Sequence, residues 1–539
     1  MTGGPLPELP AVIGLGLPRL TAGFDEAERL DRRAHLAVHG SVPRLTEEGL
    51  TRLAEGVGLR GRGGAGFPFA RKLRAVGEAA QRRGVRPAVV VNGCEGEPAC
   101  RKDAVLLGRA PHLVLDGALL AAEALGARTL VVGVTRQRIE ASVREALAER
   151  GLTDRRGRTV RARVVRLPER LVSGEASALL RAADGGPAVP PGRHARACEE
   201  GLGGVPTLLS NAETFAQLAV AARLGADRYA TTGTAAEPGT LLLTLSGGVP
   251  QPCVVEAPSG VPMGYVLRTC GADPALQGVL VGGYHGAWLD AETAYGAGVS
   301  HDALATAGGT LGAGAVLPLP GRTCPLGETV RVAHWLAAES AGQCGPCRLG
   351  LPALAGALAD VLAGAGPGAL EAVREAARGL RGRGACGHPD GSARFAPSAL
   401  TAFTDDLAAH VLGSGCGRGT AGVLPLPSPT RTGAQEGRES AERLAVDWTL
   451  CVGHGLCTGL VPELVRTGRD GYPSLADTTM PAHLRGRAQR AVRRCPALAL
   501  YLTRERKQER RQEQEQEQDR ERERAGEPNR RSGRWSGKR

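Results

Sequence analysis

Leu59 to Lys72 reads L-R-G-R-G-G-A-G-F-P-F-A-R-K. Four glycines, Gly61, Gly63, Gly64 and Gly66, fall within six residues, interleaved with Arg60 and Arg62 and closed by Phe67 and Pro68. Each glycine forfeits backbone entropy in a regular element, so the run makes a loop and not a helix or strand. Such a loop lets backbone N–H groups approach an anion closely, as in phosphate-cradling loops. The next segment supports this. Ala88 to Val91 reads as a short strand and runs into N-G-C-E-G-E-P-A-C-R-K-D, Asn92 to Asp103.

Outward from the loop, strand and helix signals alternate. Leu45 to Val57 reads as a short helix with Thr46 as N-cap and acids in the first turn. Pro111–Leu125 is an apolar helix, Thr129–Val134 a buried strand, Ile139–Arg150 a polar helix and Thr159–Val165 a further strand. This alternation implies an α/β layer with a largely parallel sheet. S-G-E-A-S-A-L-L, Ser173 to Leu180, reads as a turn opening a helix. Residues 184–206 form a Gly/Pro-rich loop, and Pro206–Thr214 leads into the closing helix. Residues 1–45 are Pro/Gly-rich and read as mostly extended.

From Gly239 the pattern becomes short strands broken by Gly/Pro turns, a small β-rich domain running to about Leu319. Val330–Leu362 has helical period, interrupted at A-G-Q-C-G-P-C, Ala341 to Cys347. Gly368–Gly379 and Ser398–Leu412 read as amphipathic helices. Residues 325–413 therefore read as a helical bundle carrying metal cysteines. Residues 417–440 read as a flexible linker, 441–503 as a compact domain, and the Arg/Gln/Glu repeat beyond Thr503 as a disordered tail.

The chain has 539 residues, enough for about three or four domains. Its thirteen cysteines come without a basic, apolar leader at the N-terminus, so a disulfide framework is not expected and the thiols are available for metal. No stretch of about 18 apolar residues is free of charges and turns, so no membrane span is expected. The net charge is +12. A nucleic-acid reading needs a basic face with aromatic platforms, and neither is visible. The expected setting is cytoplasmic, at most peripheral at the inner face of the membrane. The charge could serve docking of an acidic electron carrier.

The glycine loop, strand and acidic turn, in this order, resemble the flavin-carrying, NADH-oxidising subunit of respiratory complex I, a module also found in NAD-linked hydrogenases and formate dehydrogenases. The resemblance covers roughly residues 45–413 and implies an FMN/nicotinamide-binding α/β domain at 45–235, preceded by an extension at 1–44. It further implies a β-grasp-like domain at 239–319. On matching positions it implies FMN contacts at Gly61, Arg62, Gly63, Gly64, Gly66, Lys72, Asn92, Glu95, Gly174, Glu175, Asn211 and Thr214. Backbone amides and cations suit the phosphate, and Asn can pair with an amide-like edge of the ring. Cys94 stands where the family has Asp, and Ser210 where it has Asn. The nicotinamide side is eroded. Of the family's aromatics Phe67 remains, the second matches Ala75 and the third falls near Arg196. G-E-E-T becomes Gly174-Glu175-Ala176-Ser177, losing an acid near the adenosine ribose, where a carboxylate repels a 2′-phosphate. Glu97 is retained.

Two iron–sulfur signals complete the set. Ser340 to Cys347 with Cys386 matches the family's E-S-C-G-x-C-x-P-C motif and its distant cysteine, except that Ala341 replaces the first thiolate. Cys344, Cys347 and Cys386 then leave one cubane corner without a thiolate. A three-iron cluster, a labile fourth iron, another ligand or loss of the cluster are the open outcomes. At the other end, Cys451-Val-Gly-His-Gly-Leu-Cys457 precedes Cys495-Pro496. Close-spaced thiolates on a loop plus a distant Cys-Pro is the grammar of bacterial ferredoxins. The domain resembles the single-cluster ferredoxins that serve cytochromes P450. Cys451, Cys457 and Cys495 suit [3Fe–4S], and His454 could complete [4Fe–4S].

The fold expected is thus an α/β flavin domain, a small β-grasp-like domain, a helical iron–sulfur bundle at 325–413, a linker at 414–440, an α+β ferredoxin domain at 441–503 and a charged tail at 504–539. The function expected is an NAD(P)H-dependent flavo-iron–sulfur oxidoreductase feeding the fused ferredoxin, and through it a redox protein or membrane-associated acceptor. A separate thioredoxin-like [2Fe–2S] subunit is a candidate partner. The alternatives are an electron-transfer adaptor without nicotinamide oxidation and a scaffold with a vestigial flavin site.

Overall fold

A computed structural model of the chain describes residues 8–152, 160–192, 196–427, 442–468, 471–476 and 480–504. The chain forms two compact units, residues 1–428 and 429–539. The charged tail read at 504–539 lies, beyond Arg504, outside the described residues.

Strands of the first unit are β1 (Ala11–Gly14), β2 (Ala88–Gly93), β3 (Thr129–Val134), β4 (Arg161–Arg166), β5 (Thr207–Asn211), β6 (Thr240–Leu245), β7 (Cys253–Pro258), β8 (Leu276–Val281), β9 (Ala287–Asp290) and β10 (Ala315–Pro320). They make two sheets. The first is fully parallel, in the order β4-β3-β2-β5. In β2, Ala88–Val91 are buried on both faces, as a central parallel strand must be. β4 alternates buried and exposed residues and sits at the edge. The chain winds from β2 through β3 to β4 and then returns across the sheet to β5, on the other side of β2. Strand order reverses between β2 and β5, and a parallel sheet opens a crevice beyond its carboxyl ends at such a point. Asn92, next to last in β2, and Asn211, last in β5, are paired in register there.

The layer behind this sheet is held by close helix contact. Helices Pro111–Ala124 and Ala212–Tyr229 meet at Gly117, where a Cβ would lie 1.8 Å from the Phe215 carbonyl oxygen. Only glycine fits that approach. Phe215 also meets Phe69 edge-to-face, tying in the helix Phe69–Arg83 that comes after the glycine loop.

The second sheet is mixed, in the order β1-β7-β6-β10-β8-β9. Its edge strand β1 comes from the N-terminal extension and pairs in parallel with β7. The reading of residues 1–45 as mostly extended is corrected here, because the segment also holds a helix, Arg32–His39, capped by Asp31. Apolar periodicity cannot find that helix, because its buried face is His35 and His39. Glu256 on β7 anchors the extension from below, accepting hydrogen bonds from the backbone N–H groups of Arg19, Leu20 and Thr21 and from the hydroxyls of Thr21 and Thr240.

Helices Pro325–Ala338, Leu351–Leu362, Pro367–Leu380, His388–Ala402 and Thr404–Val411 share one apolar core. The flexible-linker reading fails over its first part. Val423 and Leu424 are buried in that core region, and Glu328 accepts hydrogen bonds from their backbone N–H groups. Residues 414–427 are a packed strap, and 428–441 lie outside the described residues. The second unit pairs Glu442–Val446 with Leu500–Arg504 antiparallel and adds a short hairpin and the helix Arg485–Arg494. No single helix among the described residues is long and apolar enough to cross a membrane.

The extension creates an acid-labile joint. His35 bonds Asp116 at 2.7 Å, and its ring lies 5.1 Å from that of His39 and 5.5 Å from that of His112. Burial, with the charges of His35 and Arg223 adding to it and Asp116 opposing, pushes the His39 pKa down to about 3. A histidine held neutral in the fold but free to protonate when unfolded stabilises the fold fully above the unfolded pKa of about 6.5, and that stability drains as pH falls toward the folded value. Unfolding midpoints of the full chain measured from pH 7 to pH 4 should fall, and His39→Leu should flatten the upper part of that fall. An unchanged slope in the variant would show that His39 does not report the joint.

Candidate functional site

A cavity of about 580 Å³ opens at the carboxyl ends of β2 and β5. Gly61, Arg62, Gly63, Gly64, Gly66, Phe67, Lys72, Asn92, Glu95, Glu97, Gly174, Glu175 and Asn211 all line it. Thr214 stands behind this wall, its hydroxyl accepting from the Arg62 backbone N–H at 2.9 Å. The loop is pinched at its base by Gly61 N–H to Phe67 carbonyl and Phe69 N–H to Leu59 carbonyl bonds, at 2.9 and 2.8 Å. At its turn Gly64 has φ +115°, a conformation that side chains resist.

Beneath the loop lies a buried ionic cluster. Lys102 heads the helix Lys102–Arg109, and its Nζ donates to Asp103 at 2.8 Å and to Asn211 Oδ1 at 3.1 Å and pairs with Glu213 at 3.0 Å. Burial works against its charge, but Asp103 and Glu213 outweigh that and raise its pKa above the ordinary lysine value. Asn211 also donates to Asp103 at 2.5 Å and accepts from Glu213 N–H, capping the helix Ala212–Tyr229. The sequence reading does not single out Lys102, Asp103 or Glu213. A Lys-Asp pair at the head of an otherwise apolar helix is the signal that could have found them.

Several residues expected to contact cofactor directly are also braces. Asn92 donates to the Gly174 carbonyl and accepts from Cys94 N–H. Glu95 accepts from Asp103 and Ala104 N–H groups at the helix start. Glu175 accepts from Ser177 and Ala178 N–H groups as the N-cap of Ala176–Ala183. Glu97 accepts from Tyr284 N–H at 2.9 Å, yet burial lifts its pKa to about 7.

The residues fit FMN. Among the described residues Arg62 Nε and Nη1 are buried with no hydrogen-bond partner, and Glu213 is 3.9 Å from Nε. Unmatched guanidinium donors beside a glycine loop and Lys72 suit a phosphate. Phe67 is half exposed at the mouth.

Cys386 lines the same cavity, with His388 and His285. His388 Nε2 lies 2.8 Å from the Leu336 carbonyl oxygen, so that nitrogen carries its proton and Nδ1 accepts from His285 Nε2 at 2.9 Å. Cys347 is buried. Burial, with Cys344 and then Cys386 nearby, pushes its thiol up to about 12, and Cys386 is raised by burial and then by Glu175 and Cys344. The three cysteines thus gather beside the cavity wall. The motif is tied to the flavin side by Leu171 N–H donating to Glu339 and by Arg170 donating to the Ser340 carbonyl. In the second unit Cys451, Cys457 and Cys495 pack against one apolar cluster, while His454 is exposed.

Family comparisons agree with this division. Residues 55–220 match the Nuo51 FMN-binding domain, 328–410 the NADH-ubiquinone oxidoreductase-F iron-sulfur binding region, and 444–502 a 4Fe-4S single cluster domain. The F-type subunit of NADH-quinone oxidoreductase from Streptomyces coelicolor (strain ATCC BAA-471 / A3(2) / M145) is 31% identical over 418 residues, covering 74% of this chain and 92% of that protein. The chain belongs to the F-type family of NADH-quinone oxidoreductase subunits. The second F-type protein of Rhizobium meliloti (strain 1021) is 29% identical over 390 residues, 70% of this chain and 91% of that protein. The crystal structure of an NAD+-reducing [NiFe]-hydrogenase in the H2-reduced state superposes with a TM-score of 0.65 at 28% identity, covering 75% of this chain and 68% of that one. The family resemblance read from the sequence is confirmed, as are the FMN-binding domain and the two iron–sulfur domains, one of them in the fused C-terminal unit.

Lys102→Met should leave the Asp103 and Glu213 carboxylates buried without their cation. Breaking a buried pair on one side costs roughly 3–5 kcal/mol. Denaturant unfolding should show a loss of that order, and Lys102→Met/Glu213→Gln should recover part of it. Equal stability of wild type and Lys102→Met would remove the ionic cluster as the support of the loop.

Proposed function

We propose that this chain oxidises NAD(P)H at an FMN held in the β2–β5 crevice and passes the electrons to the cluster at Cys344, Cys347 and Cys386 and on to the fused ferredoxin. The observation that carries the reading is that Cys386 lines the same cavity as the glycine loop, so donor and acceptor sites share one wall. When bound, FMN supplies acceptance of a hydride and release of its two electrons singly. The chain holds the phosphate with Arg62, Lys72 and the loop N–H groups, and keeps Glu97 at the wall as a carboxyl that titrates near neutrality. Phe67 at the mouth offers a face for stacking a nicotinamide.

We read the domains as 45–235 for flavin and nicotinamide, 239–319 as β-grasp-like, 325–413 for the cluster and 441–503 as ferredoxin, with Cys451, Cys457 and Cys495 as ligands and His454 as the optional fourth. The acceptor is a redox protein, and a separate thioredoxin-like [2Fe–2S] chain is a compatible partner. The setting is cytoplasmic, at most peripheral to the inner membrane face. Loss of the second acid at Ala176 favours testing NADPH beside NADH.

Two measurements test this. Anaerobic titration of the purified protein with NADH and with NADPH should bleach flavin absorbance with at least one of them. If neither does while dithionite bleaches it fully, the chain is an adaptor fed by a protein donor. The second concerns Ala341. In a chain ended at Ser428, so that the strap stays and the ferredoxin cluster does not mask the signal, Ala341→Cys should convert a three-iron or iron-labile centre into a stable [4Fe–4S] centre by iron content and EPR. No iron in either protein would mean that this site is structural only.

A further inference from the structure

Six of the thirteen cysteines are taken up by the two cluster motifs. Two of the rest, Cys324 and Cys416, converge on a histidine outside both. The ligand atoms of Cys324, His410 and Cys416 all lie within 4.8 Å of one another. They come from three separate places. Cys324 is the N-cap of Pro325–Ala338, His410 is in the last turn of Thr404–Val411, and Cys416 lies near the start of the packed strap.

The geometry points to a mononuclear zinc site made by Cys324 Sγ, His410 Nε2 and Cys416 Sγ, with one water as the fourth ligand, which clasps the strap onto the helical bundle. Tetrahedral zinc with Zn–S and Zn–N bonds of about 2.3 and 2.05 Å sets its sulfur and nitrogen ligands about 3.5 Å apart. Cys324 Sγ and His410 Nε2 are 3.4 Å apart. The tautomer is also fixed. His410 Nδ1 lies 2.9 Å from the Leu362 carbonyl oxygen, so it carries the proton and leaves the Nε2 lone pair facing the thiols. A ligating histidine commonly has this outer hydrogen bond. Gly327 N–H, at the free start of the helix, donates to Cys324 Sγ at 3.3 Å.

Two soft sulfurs and an imidazole select zinc over the hard divalent cations. Two thiolates, one neutral imidazole and Zn2+ sum to zero charge, which suits a place where Cys324 and His410 are buried. Binding displaces the two thiol protons to solvent and changes no oxidation state. The surroundings explain what the metal would hold. Cys324 N–H donates to the Gly419 carbonyl, Ala421 N–H to the Thr323 hydroxyl, and Arg418 pairs with Asp406. The clasp fixes where the chain leaves the bundle at residue 427.

The test is metal content and zinc-edge X-ray absorption on the full, flavin- and iron-loaded chain purified anaerobically. Wild type should hold about one zinc, with two sulfurs at about 2.3 Å and two lighter ligands. Cys416→Ser and His410→Ala should each lose that zinc while flavin and iron per chain stay unchanged. Zinc adventitiously bound in a cluster site would survive both substitutions and would overturn the proposal, as would wild type that takes up none on equilibration. A Cys324–Cys416 disulfide found by peptide mass spectrometry under non-reducing conditions would overturn it too. Should the variants misfold, chelation of wild type decides. Removing zinc should open residues 413–427 to limited proteolysis and re-addition should protect them, whereas indifference to both sinks the clasp.

Discussion

The buried ammonium of Lys102 is the constraint on which the cavity depends. A charge at this depth survives only if its partners are placed beforehand, because each unpaired ion there costs several kcal/mol. Its partners come from two stretches of the chain, its own neighbour and the junction after β5. Asp103 belongs to the acidic turn, Asn211 ends β5, and Glu213 opens the next helix. Satisfying Lys102 therefore fixes β2's exit against β5's exit. Thr214, one residue beyond Glu213, then receives the Arg62 N–H and sets the glycine loop over the crevice. The loop's four glycines carry no side chains to hold this conformation by packing. Its shape is borrowed from the ionic cluster below it.

This arrangement also accounts for the unmatched donors of Arg62. Glu213 is committed to Lys102 and, through Oε1, accepts from the Leu242 N–H at 3.1 Å. Little of its acceptor capacity remains for the guanidinium 3.9 Å away. The guanidinium is thus left short of acceptors by its own neighbour. The second sheet takes part in the same logic, since Leu242 lies on β6. The flavin crevice is thus supported from both sheets, and the extension threaded along β7 through Glu256 fastens the two layers.

Legibility in the sequence depends on the physics of each signal. Apolar runs such as Ala88–Val91 and Thr129–Val134 are readable because burial on both faces leaves no alternation, and the glycine loop because four glycines exclude regular structure. Spacing makes the two iron–sulfur domains readable. The helix Arg32–His39 is not, since histidines occupy its core positions. The strap at 414–427 is not, since its Gly/Pro-rich composition is that of a linker and its packing is carried by the short run Val423 to Leu426. Roles within the site are the least legible. Residue type can place Asn92, Glu95 and Glu175 at the crevice, but these polar groups spend much of their hydrogen-bonding capacity on the chain itself, and nothing in the sequence announces which bonds a side chain keeps.

Ala341 shows how chemistry can change on a frame that does not notice. A cluster motif is held in place either by its iron or by hydrogen bonds to its neighbours, and here the second set is ample. Glu339 is bonded by Leu171 N–H, the Ser340 carbonyl by Arg170, and the preceding helix by His388 at Leu336. Each of these bonds joins the motif to a segment on the flavin side or to the helix that follows the far cysteine, and none runs through residue 341. Replacing a thiolate there by a methyl group removes none of them and buries no unmatched polar atom, so the fold bears almost no cost. What alanine lacks is any donor atom for iron at the first position of a motif whose distant Cys386 lines the cavity. Residue 341 is therefore a position at which the side chain can change without breaking any of the bonds that place the motif.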